Sequence, residues 1–169
     1  DRATEGPKPI ILSAQDLRFE HHRVAGASIL SGAASLLLAW DVALQHGFGQ
    51  APHQIAIADV RWQSPIAAPS TDSLKLNVAI QDTAEPLITL SIQDKLPSFE
   101  CRSVVASQTP TRLGITELIQ QSERRWSKQQ CYALFASHGL HYGASHQQID
   151  TVYVTKLGLL VELSSTLGS

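Results

Sequence analysis

The sequence predicts an α+β fold in which an antiparallel sheet curls around one long helix. One segment of the 169-residue chain, GAASLLLAWDVALQ, is apolar on nearly every side, which is the pattern of a helix that is buried all round. Four later segments alternate apolar and polar residues, which is typical of half-buried antiparallel strands. A hydrophobic content of 43% and a charged content of 17% exclude a disordered chain.

The elements of the first half are predicted in order. Residues 24–30 are predicted to form a strand, and Ser31 then caps a helix that ends near His46, with Gly47 as its stop. A slip in the alternation near Asp59 predicts a β-bulge. The four strands after the helix are predicted at residues 55–62, 74–80, 88–92 and 99–105.

The second half of the chain repeats the order of one helix and then strands. Ser127 opens a helix with the capping-box pattern Ser-x-x-Gln, and Gly139 ends it. A turn and two alternating segments, 149–154 and 157–163, follow. The predicted domains are a linker at 1–8, a first unit at 9–106, a polar connector at 107–126 and a partial second unit at 127–169.

The composition excludes several classes of function. A formal net charge of −2 and the lack of a basic stripe exclude nucleic-acid binding. The longest apolar run, 33–40, is too short to span a membrane. Cys101 and Cys131 support neither a disulfide framework nor a metal site, and they fit a reducing cytosol. The chain contains no Met, so we expect it to be either processed or a piece of a longer polypeptide.

Two adjacent histidines are the strongest candidates for chemistry. His21 and His22 precede the predicted buried helix, and such a place can bring an imidazole beside the free backbone N–H groups of a helix N-terminus. This arrangement suits removal of a proton from a carbon next to a carbonyl. From spacing alone, ordinary buried or surface histidines remain the alternative. The other five histidines are expected to be structural or solvated, with His146 held by packing or a hydrogen bond.

Two motifs resemble those of dehydratase domains from modular polyketide synthases. HRVAGASILSG resembles the motif His-x-x-x-Gly-x-x-x-x-Pro: His22 and Gly26 match, and Ser31 replaces proline. YGASH resembles the motif Tyr-Gly-Pro-x-Phe, in which Tyr142 and Gly143 match. Ala144 and His146 depart from it. The resemblance covers residues 22–164.

The resemblance implies a double hot-dog fold that removes water from a β-hydroxyacyl group on an acyl carrier protein and leaves an enoyl thioester. His22 is implied to be the catalytic base, and the N–H group of Gly26 is implied to polarise the thioester carbonyl. The other residues expected to bind substrate are Ser31, Gly32, Tyr142 and Gly143. No metal is expected, and no cofactor other than the phosphopantetheine of the carrier. The expected partners are the carrier, neighbouring synthase domains and a second copy of the chain, in the cytoplasm.

One residue implied by the resemblance is missing. The family uses an aspartate in a later helix as its acid, whereas this sequence has no Asp after Asp150. Three alternatives stay open: the aspartate lies beyond Ser169, the domain shifts a double bond with one base, or the domain is a non-catalytic structural or docking module. Ser31 in place of proline favours the third. A stand-alone thioester-binding hot dog is a further alternative, with Asp41 as its carboxylate.

Overall fold

The computed structural model describes residues 6–49, 52–93, 96–106 and 114–164. The chain divides into two compact units, Asp1–Phe19 with Ile29–Gln108 and Glu20–Ser28 with Thr109–Ser169. Residues 20–28 therefore belong to the second unit and not to the predicted first one, because they pair with a strand of the second half. Of the predicted linker and connector, residues 1–5 and 107–113 lie outside the described part.

The described part of the chain contains both helices and strands. In order they are β1 (Ile10–Ser13), α1 (Leu17–Glu20), β2 (His22–Val24), β3 (Ala27–Ser28), α2 (Gly32–Gln45), β4 (Ile55–Trp62), β5 (Ser73–Gln81), β6 (Leu87–Ile92), β7 (Phe99–Val105), α3 (Ile115–Gln120), β8 (Arg124–Ser127), α4 (Lys128–Ser137), β9 (Leu140–Tyr142), β10 (Ile149–Thr155) and β11 (Gly158–Leu163). Two short 3₁₀ helices lie at Pro52–Gln54 and Ala144–His146.

The first unit is an antiparallel sheet of five strands, in the order β1-β5-β6-β7-β4, packed on helix α2. Its core includes Leu38 and Ala43 from the helix and Leu76, Ile88 and Phe99 from the strands. The four predicted strands are confirmed to within a residue or two at each end. The predicted bulge is also confirmed, since Asp59 has φ 49° and the β4–β7 register shifts between Ala58 and Arg61.

Helix α2 begins and ends as predicted, but it is not buried all round. The sheet covers one side, on which Ala34, Leu38 and Ala39 are buried. Leu37 is 64% exposed and Asp41 is also exposed, because residues four apart lie on the same side of a helix. The prediction from apolar composition that the helix is buried on every side was therefore wrong. Asp41 lies on the side of the helix that the sheet does not cover, and it is exposed to solvent.

Ser31 is the N-cap of helix α2. Its Oγ accepts a hydrogen bond from the Ala34 N–H at 3.1 Å, and its side chain is buried. The backbone at Ser31 has φ −65° and ψ 151°, and −65° is the φ that a proline ring imposes. Serine therefore enters the helix with the backbone that proline would adopt, so its presence does not change the turn into α2.

The second unit contains two sheets of three strands, in the orders β11-β10-β8 and β3-β2-β9. Its helix α4 is capped as predicted: the Ser127 Oγ accepts from the Gln130 N–H, and the Gln130 side chain accepts from the Ser127 N–H. Strands β10 and β11 are confirmed. Among the described residues, no helix is both long and apolar enough to cross a membrane.

Three local predictions in the second unit were wrong. Residues 24–30 are not one strand, because Ala25 and Gly26 form a turn between β2 and β3. The segment after Gly139 is not only a turn, since it contains β9. The connector also contains strand β8, whose charges are accommodated because Arg124 lies over the Trp126 ring and Arg125 over the Tyr153 ring, at 4.6 and 5.1 Å from the centroids.

Both cysteines are buried free thiols, one in each unit. Burial raises the pKa of the Cys101 thiol to about 11, so this group stays protonated at neutral pH. Cys101 is accordingly a core residue of the sheet.

The cap of helix α2 provides a test of the first unit. Ser31→Ala is expected to lower the free energy of unfolding by about 1 kcal/mol, since the Ala34 N–H loses its acceptor. Ser31→Thr keeps the acceptor and is the matched control. Urea unfolding followed by circular dichroism measures both variants, and equal stability of Ser31→Ala and the parent would contradict the role of the cap.

Candidate active site

A small sheet in the second unit carries the predicted catalytic histidine. Strand β2 pairs with β9 in the register His22↔Tyr142, Arg23↔His141 and Val24↔Leu140. The Gly143 N–H donates to the His21 carbonyl and the Ala25 N–H donates to the Gly139 carbonyl, each at 2.8 Å. These bonds make His22 and Tyr142 a non-hydrogen-bonded pair, the type in which opposing side chains lie closer together.

A tight turn completes this sheet at Gly26. Ala25 and Gly26 have φ 49° and 85°, and two successive positive φ values are typical of the two-residue hairpin turn that favours glycine at its second position. A Cβ at Gly26 would meet nothing within 4 Å, so the turn and not crowding requires glycine. The match of Gly26 to the motif thus has a local structural reason.

The ring of His22 lies between an aromatic ring and another imidazole. Its centroid is 5.4 Å from that of Tyr142, edge to face, and 5.9 Å from that of His146. The His22 side chain is half-buried. The structure therefore brings together two of the predicted site residues, His22 and Tyr142, and adds His146 from the position at which the motif has phenylalanine.

Ser145 lies between His146 and His21 and contacts both imidazole rings. Its Oγ lies 2.7 Å from Nδ1 of His21 and 3.0 Å from Nδ1 of His146, and its backbone N–H also donates to Nδ1 of His21 at 3.3 Å. The expectation that His146 is held by packing or a hydrogen bond is confirmed.

Two aromatic rings of helix α4 support Tyr142. Tyr132 and Phe135 pack edge to face on Tyr142 and on each other, with centroids 5.5 to 5.8 Å apart. The Tyr132 hydroxyl donates to the His146 carbonyl at 3.2 Å and accepts from the Ile149 N–H at 3.1 Å. Helix α4 therefore fixes both β9 and the 3₁₀ turn that holds His146.

Burial lowers the pKa of His146, and its neighbours His22 and then His21 lower it further. Desolvation penalises the charged imidazole, and a positive charge on a neighbouring ring adds repulsion. His146 is accordingly neutral at neutral pH. Burial is also the largest cause of a raised pKa at Tyr132, whose phenol is likewise uncharged.

Gly143 lies against His21. A Cβ at this position would overlap Cγ and Cδ2 of the His21 ring and come within 2.7 Å of the His21 Cβ. Gly143 therefore leaves room for the imidazole that binds Ser145. This is a packing role, and its predicted contact with substrate stays a prediction.

Two other predicted binding residues belong to the first unit. The hydroxyl of Ser31 is occupied as the cap of α2, and a Cβ at Gly32 would lie 3.2 Å from the Trp62 ring. Both residues thus have structural reasons to be present. Substrate binding by Ser31 and Gly32 remains a prediction.

An apolar cavity of about 330 Å³ lies elsewhere in the second unit. Its lining residues are Arg124, Trp126, Cys131, Leu134, Phe135, Val152, Val154 and Leu159. The lining contains one charged side chain, Arg124, and one thiol, Cys131, and it contains no His, Asp or Glu. Within the described ranges, no group of three or more His, Cys, Asp or Glu residues is arranged to hold a metal ion.

Sequence reasoning missed Tyr132 and Ser145. Tyr132 and Phe135 are three residues apart, a spacing that places both on one face of a helix, so an aromatic pair facing a neighbouring strand was detectable. Ser145 carried no comparable signal, because its role depends on contact with His21, which lies 124 positions earlier.

A sheet curled around one helix, accompanied by a second unit that opens with its own helix and strands, defines a hot-dog type of domain. The sequence profile described as polyketide synthase dehydratase domain matches residues 11–95, half of the chain. The chain therefore belongs to the family of polyketide synthase dehydratase domains, as the two motifs predicted.

Individual relatives agree with this assignment. Polyketide synthase PksL of Bacillus subtilis (strain 168) is 26% identical over 164 residues, which cover 90% of this chain and 4% of that protein. A trans-AT polyketide synthase dehydratase domain from Brevibacillus brevis superposes with a TM-score of 0.78 at 23% identity, over 92% of this chain and 58% of that one. The chain thus spans a small part of the curated relative and somewhat over half of the solved domain.

Two solved structures are inactive mutants of the CurK dehydratase from the curacin polyketide synthase. One has a histidine replaced by phenylalanine and the other an aspartate replaced by asparagine. Their TM-scores are 0.75 and 0.74 at 18% and 19% identity, over 92% of this chain and 58% of each of theirs. At this identity the likeness concerns the fold, and it confirms the predicted hot-dog architecture.

Gly143 provides a test of the site. Gly143→Ala is expected to displace the His21 ring and to lower stability by about 1–3 kcal/mol, the usual cost of overpacking. Thermal unfolding measures the stability, and the NMR signals of the His21 ring report its displacement. Gly6→Ala is the control, since a Cβ there would meet nothing within 4 Å. An unchanged His21 ring in Gly143→Ala would contradict this packing.

Proposed function

We propose that the chain is a dehydratase-type domain that eliminates water from a β-hydroxyacyl thioester carried on an acyl carrier protein, with His22 as the base. The observation that carries the proposal is the position of His22, on β2 and facing Tyr142, in a member of the dehydratase family. The inactive CurK mutant that lost a histidine supports the choice of an imidazole as the essential base.

The reaction needs a base at the α-carbon and a proton for the leaving group. His22 accepts the α-proton on a ring nitrogen, and the electron pair of the broken C–H bond forms the Cα–Cβ double bond. The C–O bond at the β-carbon breaks, and the departing hydroxide takes one proton to become water. The protons balance when His22 returns the one that it has taken.

Gly26 is proposed to hold the thioester carbonyl. The carbonyl oxygen gains negative charge as the α-proton leaves, and a backbone N–H close to it stabilises that charge. Gly26 follows His22 in the same hairpin, and the space around its Cα is open, so a thioester can approach the backbone there.

A second candidate is migration of a double bond in an enoyl thioester. His22 would take a proton from one carbon and return it to another, which needs no separate acid. One observation favours this reaction: the described carboxylates near the end of the second unit are engaged elsewhere, Asp150 with Ser164 at 2.8 Å and Glu162 with Tyr153 at 3.2 Å.

The proposed partners follow from the same chemistry. An acyl thioester of a carrier protein arrives on a phosphopantetheine arm, so the carrier is a partner and no resident cofactor is needed. The curated relatives are polyketide synthases of which this chain matches 4%, which supports neighbouring synthase domains as further partners. The cytoplasm is the proposed location. A homodimer stays a proposal that oligomer analysis in solution would test.

The experiment removes the base. His22→Ala is expected to abolish both elimination of water from a β-hydroxyacyl carrier protein and double-bond migration in an enoyl carrier protein, because no other group replaces the ring at β2. Mass spectrometry of the acyl group detects the loss of water, and absorbance of the conjugated thioester detects migration.

A matched variant controls for histidine loss in general. His138→Ala removes an exposed imidazole at the end of α4 and is expected to keep the parent's turnover. Equal turnover in His22→Ala and the parent would exclude His22 as the base. A parent chain with neither activity would support the alternative of a structural module.

A further inference from the structure

A serine hydroxyl of the second unit lies against a nitrogen of an imidazole ring that the proposed elimination does not use. Ser145, in the 3₁₀ turn after β9, places its Oγ 2.7 Å from Nδ1 of His21, which precedes Ser145 by 124 positions. A serine hydroxyl is a weak nucleophile unless a base about 2.6–3.2 Å away can take its proton. The distance from Oγ to Nδ1 lies within that range.

The hydrogen bonds at Nδ1 of His21 show that this nitrogen is the basic one. The Ser145 backbone N–H donates to it at 3.3 Å, so Nδ1 carries no proton and the ring proton is on Nε2. The Ser145 hydroxyl, 2.7 Å from the same nitrogen, must also donate to it, since two acceptors at that distance would repel. The proton that a nucleophile has to lose is therefore already directed at a base.

The backbone around Gly143 holds the His21 ring in this orientation. The Gly143 N–H donates to the His21 carbonyl at 2.8 Å, and the ring fills the space that a Cβ at Gly143 would occupy. In pairs of nucleophile and base, a third group usually orients the base. Here the strand end and the 3₁₀ turn have that role, so the imidazole needs no carboxylate partner.

The Ser145 oxygen can be reached by a substrate. Ser145 is exposed and His21 is half-buried. The one further contact of this oxygen within the described part of the chain is with Nδ1 of His146, at 3.0 Å. An acyl compound can therefore approach Ser145 from solvent while His21 holds the hydroxyl proton.

A second pair of serine and histidine in the same unit lacks this arrangement. The Ser137 Oγ lies 3.2 Å from Nδ1 of His138. That nitrogen is also 2.9 Å from the Leu134 carbonyl, which can only accept, so Nδ1 of His138 carries the proton. The Ser137 hydroxyl donates to the same carbonyl at 2.7 Å. His138 thus offers no base to Ser137, and this pair is a matched control.

We propose that Ser145 and His21 form a nucleophile–base pair that takes the acyl group from a thioester and passes it to water. Oγ bonds to the carbonyl carbon as its proton moves to Nδ1 of His21, the C–S bond breaks, and the thiolate leaves with that proton. Water then attacks the acyl-serine and gives a proton to Nδ1. Oγ takes this proton back as the carboxylic acid leaves. The choice of a thioester rests on the proposed function, whereas the pair itself does not.

The first experiment treats the full chain with an alkyl fluorophosphonate, which bonds to an activated serine oxygen and releases fluoride. Peptide mass spectrometry is expected to find the label on Ser145. His21→Gln keeps an acceptor for the Ser145 N–H but removes the base, and it is expected to slow labelling at least about 100-fold, the lower size of a general-base effect. His21→Phe, which keeps a ring beside Gly143, is expected to do the same. Ser137→Ala is expected to label at the parent's rate.

The second experiment measures the transfer to water. The parent is incubated with the acetyl thioester of N-acetylcysteamine, and the free thiol is measured with a thiol reagent. The parent is expected to release thiol, and Ser145→Ala is expected to release it only at the rate without protein. A parent that is not labelled at Ser145, labelling of both His21 variants at the parent's rate, or equal thiol release by Ser145→Ala and the parent would overturn the proposal.

The pair and the proposed function fail separately, because elimination leaves the thioester intact and hydrolysis frees its thiol. A chain that is labelled at Ser145 and releases thiol, but removes no water from a β-hydroxyacyl carrier protein, keeps the pair and loses the elimination reaction. A chain that eliminates water while Ser145 stays unlabelled keeps the proposed function and loses the pair.

Discussion

The pairing of β2 with β9 is the interaction on which the candidate site depends. Three residues of each strand are in register, across a separation of more than a hundred positions in the chain, so closing this loop carries an entropic cost that local contacts must offset. Part of this cost is offset by the packing of the Tyr132 and Phe135 rings on Tyr142. The two hydrogen bonds of the Tyr132 hydroxyl, to the His146 carbonyl and from the Ile149 N–H, offset a further part. Register matters as much as pairing, because a shift by one residue would turn His22 to the opposite face of the sheet.

Local signals in the sequence predicted much of the first unit. Ser31 and Gly47 mark the two ends of helix α2, because each acts on backbone groups only a few residues away. The alternation of apolar and polar residues likewise identifies each strand without knowledge of the strand that it pairs with. Even the bulge at Asp59 was visible, since an extra residue interrupts the alternation. The prediction that α2 is buried on every side was wrong. Composition shows how apolar a segment is, but it does not show which side of the helix the sheet covers.

The candidate site was only partly predictable. His22, Gly26, Tyr142 and Gly143 were found through a resemblance of motifs, whereas their meeting depends on a non-local strand pair that periodicity cannot reveal. Strand β8 was missed because two arginines made it look solvated, and their stacking on Trp126 and Tyr153 appears only in three dimensions. In the sequence, His146 is only a residue that departs from the motif. Its contact with the His22 ring is seen only in the structure.

The most direct measurement of the central claim is the register of β2 and β9 in solution. In a non-hydrogen-bonded antiparallel pair the two Cα atoms are about 4.5 Å apart, so the Hα protons of His22 and Tyr142 are close enough for a strong nuclear Overhauser cross-peak. The account predicts that cross-peak, together with weaker ones from the His22 ring to the Tyr142 ring. A strong Hα cross-peak from His22 to His141 or Gly143 instead, or none to β9, would contradict the register on which the site is built.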